Sequence, residues 1–190
     1  MTDSLQIIAD EVKVCTRCEL HKGRTHGVPG EGNMNAKIMF IGEGPGAEED
    51  KQGRPFVGRS GKFLREMIKM VGLAEEEVFI ANVVKCRPPG NRDPKPEEIT
   101  TCRPFLDRQI ALINPKIIVT LGRYAMDREL PGMKISLVHG QAFRRKNGRL
   151  YVPLYHPAVA LYSASQKGTL IEDMKILPKL IKEMGEILTI

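Results

Sequence analysis

Four cysteines, Cys15, Cys18, Cys86 and Cys102, have the spacing that most directly suggests chemistry. The first two form a C-x2-C pair. Sixty-seven residues separate Cys18 from Cys86, and 15 separate Cys86 from Cys102. Such a set either ligates a metal or splits into a redox C-x2-C motif and two core cysteines. Structural zinc usually takes two short-spaced pairs, and only one pair here is short. The scattered second pair tolerates zinc or a [4Fe-4S] cluster and tilts the reading toward the cluster. A metal held by all four would tie the N-terminal helix to the middle of the chain. It would also brace the loop "RPPGNRDPKP", for which no hydrogen bonds of its own are expected. Nothing in the pattern indicates a redox cycle, so such a centre is expected to be structural.

A second stretch, "GEGPGAEEDKQGRPFVG", runs from Gly42 to Gly58 with five glycines and two prolines. A glycine-rich turn after a strand commonly cradles a phosphate. Glu43, Glu48, Glu49 and Asp50 would repel one. The ligand this loop suits must take hydrogen bonds from bare backbone N–H groups, tolerate carboxylates and stack on Phe56.

These residues need elements to position them. Residues 3–14 carry apolar positions at helical spacing. "AKIMFIGE", "EVFIANVVK" and "PKIIVTLG" are apolar runs that read as buried strands. "SGKFLREMIKMVG" reads as a helix with Ser60 as N-cap and Gly72 as C-cap. "KPEEITTCRPFLDRQIALIN" begins as a helix in which Pro104 predicts a kink or break. "RYAMDREL" is a short helix, and "KISLVHG" reads as strand-like. "QAFRRKNGRLYVPLYHP" predicts a hairpin turning at Asn147–Gly148, and residues 168–188 a closing helix containing Pro178. Strands alternating with helices imply βαβ units, hence a parallel sheet with helices on both faces. Ligands in such folds bind at the carboxyl ends of the strands. "GEGPG", "NVVKCRPP" and "YHPA" all fall at such ends, which points to one site.

The chain has 190 residues and 42% hydrophobic content, enough for one domain with a real core. No apolar run approaches a membrane span, and the acidic, amphipathic start "MTDSLQIIADEVKVC" does not resemble a signal peptide. A cytoplasmic protein with no membrane partner is expected. The net charge of +6 suits a polyanionic partner, or a soluble protein that is simply basic. Aromatic residues make up only 5%, with no Trp, which argues against an extended base-stacking platform.

Taken in order, "GEGPGAEEDKQGRPFVG", "NVVKCRPP", "HPA" and the four cysteines resemble the family 4 uracil-DNA glycosylases, the iron–sulfur members of their superfamily. The resemblance runs from Cys15 to the final helix. Each motif alone is weak, whereas all of them in this order are specific. The resemblance implies one α/β domain over residues 1–190, a three-layer α/β/α sandwich around a central, mainly parallel four-stranded sheet. It implies a [4Fe-4S] cluster on Cys15, Cys18, Cys86 and Cys102. It implies a monomer that removes uracil from single- or double-stranded DNA, with a replication clamp as a candidate partner.

The ligand of the glycine-rich loop is then a flipped uracil. Its leaving anion would accept hydrogen bonds from backbone N–H groups, while Phe56 stacks on the ring. Asn82 would donate to O4 and accept from N3–H, and cytosine presents the opposite pattern. His156 would donate to O2. Glu43, Gly44 and Pro45 form the pocket wall, and Glu49 is expected to position the water, with Glu43 the other candidate acid. Many superfamily members carry Asp where this chain has Gly44. Val159 and Leu161 are the expected wedges. Lys62, Arg87 and "RRKNGR" are expected on phosphates, while His21, His26 and His139 match no catalytic position. No lysine is placed to form a Schiff base, so strand cleavage is not expected. Three other readings compete: a non-catalytic DNA-binding or polymerase-associated module, a zinc-stabilised nucleotide binder, and a superfamily variant that binds uracil-DNA covalently. The intact Phe56, Asn82 and His156 argue against the first. The acids of the loop argue against the second. The absence of a nucleophilic histidine after the first motif argues against the third.

Overall fold

The computed structural model describes residues 3–187. Six strands form one sheet: β1 (Glu31–Gly32), β2 (Ile38–Gly42), β3 (Val78–Asn82), β4 (Ile117–Leu121), β5 (Phe143–Arg144) and β6 (Leu150–Leu154). Their spatial order is β1-β3-β2-β4-β6-β5. The four inner strands are mutually parallel, as expected. Two-residue antiparallel strands, β1 and β5, add an edge on either side. The helices are α1 (Leu5–Val14), α2 (Ala47–Gln52), α3 (Arg59–Met70), α4 (Pro96–Ile113), α5 (Arg123–Glu129), α6 (Ile135–Val138), α7 (Ala164–Met174) and α8 (Ile176–Ile187).

Successive strand residues point to opposite faces, and both faces are covered. Met39 and Ile41 face α1, α4 and α5, where Ile8, Val12, Leu106 and Met126 complete one core. Ile38 and Phe40 face α3, α7 and α8, where Leu64, Met67, Leu170 and Leu177 complete the other. This is the expected three-layer sandwich, and it explains why each inner strand reads as an unbroken apolar run. Arg108 of α4 also pairs with Asp3 and Glu11, fastening α1 to the body.

Four local expectations change. Helix α3 is capped by Gly58 and starts at Arg59, ahead of Ser60, because a side chain described below already holds the Gly58 N–H. Gly72 lies just past its end with φ 78°. "KISLVHG" forms the helical turn α6 instead of a strand, and among the described residues its only backbone bond to the sheet is the Gly140 N–H to the Pro153 carbonyl of β6, past the two residues that β5 pairs. α4 runs through Pro104 without a break, since Pro104 and Thr100, whose carbonyl loses its partner, both face solvent. The closing segment is two helices meeting at Lys175, with Pro178 in the first turn of α8, where no N–H is needed. Residue 188, the end of the expected closing helix, lies outside the described residues. The hairpin turn forms at Asn147–Gly148, with Gly148 at φ 79°. Among the described residues no helix is long and apolar enough to cross a membrane.

Candidate active site

The parallel register brings Gly42, the last residue of β2, beside Asn82, the last of β3. His156 follows β6 by two residues. A cavity of about 280 Å³ opens there, lined by Glu43, Pro45, Glu49, Phe56, Asn82 and His156 among others. The carboxyl ends of the strands thus converge on one site, as expected.

Its floor is set by close backbone approach. A Cβ on Gly42 would lie 2.4 Å from Asn82 Oδ1 and 2.5 Å from Phe56 Cζ. A Cβ on Gly44 would lie 2.8 Å from the buried Val84 Cγ2, so an Asp at this position would require Val84 to shift. Asn82 is 2% exposed, and its Oδ1 is buried with no hydrogen-bond partner among the described residues. A buried unpaired acceptor costs stability unless a ligand supplies the donor.

Phe56 holds its ring in place from an unusual backbone, φ 51°. Two devices over-determine that turn. Glu49 reaches back from α2 and accepts from Val57 N at 2.9 Å, Gly58 N at 2.7 Å and Gly46 N at 3.2 Å. Arg65 donates to the Phe56 carbonyl and the Pro55 carbonyl, both at 3.0 Å. Arg65 is itself held by Glu31 at 2.6 Å and Glu75 at 2.5 Å. The Phe56 and His156 ring centroids lie 5.9 Å apart.

His156 is kept neutral, its pKa pushed down to about 4 by burial, with Glu49 opposing weakly. Its Nδ1 accepts from the Ala158 N–H at 3.2 Å, so the ring proton sits on Nε2 as a free donor. Gly122, just past β4, has φ 89°, and a Cβ on it would lie 3.2 Å from His156 Cβ, so glycine leaves the histidine its place. Glu43 contrasts with Glu49. It is half-buried and accepts no hydrogen bond among the described residues, and burial raises its pKa, with Asp93 adding and Arg123 opposing.

The four cysteines also come together, around a second small cavity with Val12, His21, Lys85 and Phe105. None is in a disulfide. Cys86 Sγ accepts from Arg24 Nη1 at 2.9 Å, and Cys102 Sγ from the Lys85 N–H at 3.2 Å. Burial pushes both thiols up, Cys102 to about 11. Among the described residues no group of three or more Cys, His, Asp or Glu side chains is set to hold a single metal ion. The loop after Cys86 does have bonds of its own, contrary to expectation: Arg92 grips Glu98 at 2.7 and 2.9 Å, Arg87 Nε donates to Asn91 at 2.7 Å, and Asp93 pairs with Arg123.

The remaining expected residues are dispersed. Lys62 is exposed two residues past Ser60, which lines the cavity, and Arg87 is half-buried on the loop that lines it. "RRKNGR" turns at the amino end of β6, where Arg149 binds the Pro115 carbonyl, at the opposite end of the sheet from the cavity. On the turn Pro157–Leu161, Val159 packs inward on the α3–α7 core and Leu161 is half-buried. Tyr162, next along, is 87% exposed.

Residues 29–175 match the uracil DNA glycosylase superfamily model. A type-4 uracil-DNA glycosylase of Sulfurisphaera tokodaii is 51% identical over 187 residues, covering 94% of this chain and 85% of that protein. One of Thermotoga maritima is 45% identical, covering 95% and 96%. The chain belongs to the type-4 uracil-DNA glycosylases. A Methanosarcina acetivorans structure determined in solution superposes with TM-score 0.53 over 80% of this chain and 98% of that one, and at 17% identity it supports the fold alone.

Several parts of this type-4 site are invisible in sequence patterning. Arg65 reads as one more cation on an amphipathic helix, yet it clamps Phe56. Lys85 reads as the end of a strand, yet it is buried between the two cavities. The one available signal for Lys85 was a charged residue inside an apolar run, which in a parallel sheet must find partners.

Proposed function

We propose that this chain flips uracil out of DNA, hydrolyses its N-glycosidic bond and leaves an abasic site without cutting the strand. The observation that carries the reading is the unpartnered, buried Oδ1 of Asn82 on the cavity floor, beside a stacking ring and a neutral histidine donor. Uracil N3–H supplies the missing donor, and O4 accepts from Asn82 Nδ2. Cytosine has an acceptor at N3 and an amine at C4, so it leaves both amide groups of Asn82 unpaired. His156 Nε2–H reaches O2. As the C1′–N1 bond breaks, its electron pair stays with the base, and this donor stabilises the resulting anion while the sugar becomes cationic.

Of the two acids, Glu43 is the one free to hold a water against C1′, take its proton and offset the sugar charge. Glu49, with three backbone N–H groups on its carboxylate, keeps the loop closed. Lys62 and Arg87 contact phosphates, and Tyr162 with Leu161 fills the gap left in the stack. Cys15, Cys18, Cys86 and Cys102 would hold a [4Fe-4S] cluster. Four thiols lining one cavity fit the donor set of such a centre. When bound, the cluster supplies no reaction chemistry and joins α1 to the strand end that carries Asn82.

The test is a labelled oligonucleotide with one uracil, incubated with wild type or Asn82→Ala and then treated with alkali. Strand breakage only after alkali, only at uracil and largely lost in the variant is expected. No breakage at any salt or temperature, from protein with its visible iron–sulfur absorbance intact, would leave a DNA-binding module as the surviving reading.

A further inference from the structure

Lys85 is 1% exposed, and every polar atom it has is engaged. Its N–H donates to Cys102 Sγ at 3.2 Å, and its carbonyl accepts from Val28 N at 2.7 Å. Its ammonium turns back three residues to the Asn82 carbonyl at 3.0 Å and across to Gln109 Oε1 at 2.7 Å. Gln109, 2% exposed, is fixed in turn by donating to the Pro29 carbonyl at 2.7 Å. One residue therefore touches both places: its backbone N–H meets Cys102 of the four-cysteine cavity, and its side chain, anchored on Gln109, holds the backbone of the residue on the floor of the base pocket.

Nothing about the strand end requires a lysine there. Val83 and Val84 already pair with the Gly42 and Glu43 carbonyls and close the backbone. A methionine would fill the same volume without desolvating an ammonium, which is costly in a core. What the ammonium adds is a fixed direction for the Asn82 carbonyl, and hence for the bond that carries its amide. A small tilt of that amide would misplace both hydrogen bonds to a base.

We propose that Lys85 is a positioning residue: anchored on Gln109, its side chain fixes the Asn82 carbonyl, so that discrimination of the base depends on this one side chain. The inference rests on the glycosylase reading above and deepens it.

The test uses the holoprotein and two oligonucleotides: one with a single 2′-fluorinated deoxyuridine, which resists cleavage, and one with a tetrahydrofuran abasic site. The ratio of the two Kd values measures what base recognition contributes. Lys85→Met is expected to lower that ratio about tenfold, roughly one misaligned hydrogen-bond pair, with abasic-site affinity and visible absorbance unchanged. Gln109→Leu, which removes one of the ammonium's two acceptors, is expected to lower the ratio by a smaller factor, and it carries the test if Lys85→Met does not fold. An unchanged ratio overturns the proposal, as does parallel weakening of both Kd values, which marks a merely structural residue. Loss of absorbance from folded variant also overturns it, because the lysine then serves the metal site and not the pocket. A wild type with no preference for the uracil oligonucleotide refutes the glycosylase reading itself. A wild-type preference kept by both variants refutes this inference alone.

Discussion

Glu43 and Glu49 sit six residues apart on one loop, and conservative substitution to glutamine separates their roles. Glu49→Gln keeps one oxygen, which can still accept from Val57 and Gly58, but it turns an NH2 group toward the Gly46 N–H. One hydrogen bond is lost, and two fall from charge-assisted to neutral strength. Bonds to a charged acceptor contribute about 1.5–3 kcal/mol and neutral ones about 1. The loss is roughly 3 kcal/mol once water at the cavity mouth satisfies part of what is left. For a domain of this size each kcal/mol moves Tm by about 2–4 °C, so a fall of roughly 6–12 °C is expected. Glu43 has no hydrogen bond to lose, and its half-buried charge is already disfavoured by burial. Glu43→Gln should melt at or above the wild-type temperature. In rate the order reverses. Under single-turnover, saturating conditions well below either midpoint, Glu43→Gln should lose about 10²–10⁴-fold, the usual worth of a positioned base. Glu49→Gln should lose far less and show its defect as a raised KM, through Phe56. The assays are thermal melting and alkali-revealed cleavage on the same preparations. A Glu49→Gln that melts like wild type yet cannot cleave, beside an active Glu43→Gln, would refute this assignment and return the water to Glu49.

Gly42→Ala should abolish uracil affinity while the protein still folds, because the new methyl falls 2.4 Å from Asn82 Oδ1 and 2.5 Å from the Phe56 ring; full binding in a gel-shift titration would disprove the floor. Arg65→Met frees the Pro55 and Phe56 carbonyls and relaxes the φ 51° turn, so KM should rise more than kcat falls, and an unchanged KM would remove Arg65 from the clamp. The acid limb of kcat/KM should belong to Glu43, whose raised pKa means its active carboxylate form is lost above the ordinary carboxylate range as pH falls. His156, neutral down to about pH 4, adds no limb near 6.5, and Glu43→Gln should flatten the profile. The same histidine makes a stability prediction of definite sign. Its folded pKa is depressed, so its contribution is complete above about 6.5 and is lost as pH falls from there to about 4. A Tm profile of a His156→Asn variant should lack that part of the decline.

The sheet and the place of the site were legible because they rest on local rules. A strand buried on both faces must be apolar throughout, which marks β2, β3 and β4, and loops after parallel strands must meet at one end, which gathers Glu43, Asn82 and His156. The strand reading of "KISLVHG" failed because an apolar run of this length also suits a single helical turn, and periodicity alone does not separate the two. The different surroundings of Glu43 and Glu49 were not legible, for another reason. Their side chains are chemically identical, and what distinguishes them is three backbone N–H groups, one from Gly46 and two contributed by Val57 and Gly58, eight and nine residues on from Glu49. A carboxylate among glycines looks like a base in the sequence, and only the structure shows that the oxygens of Glu49 are filled by N–H donors. The proposed assignment gives the water to the other acid for that reason. The same accounting applies on the pocket floor. There the side-chain Oδ1 of Asn82 is without a donor, and its backbone carbonyl takes one from a lysine with no other evident task. Unfilled and over-filled hydrogen-bonding groups, which no periodicity encodes, are what separate the parts of this site that meet the base from the parts that hold it ready.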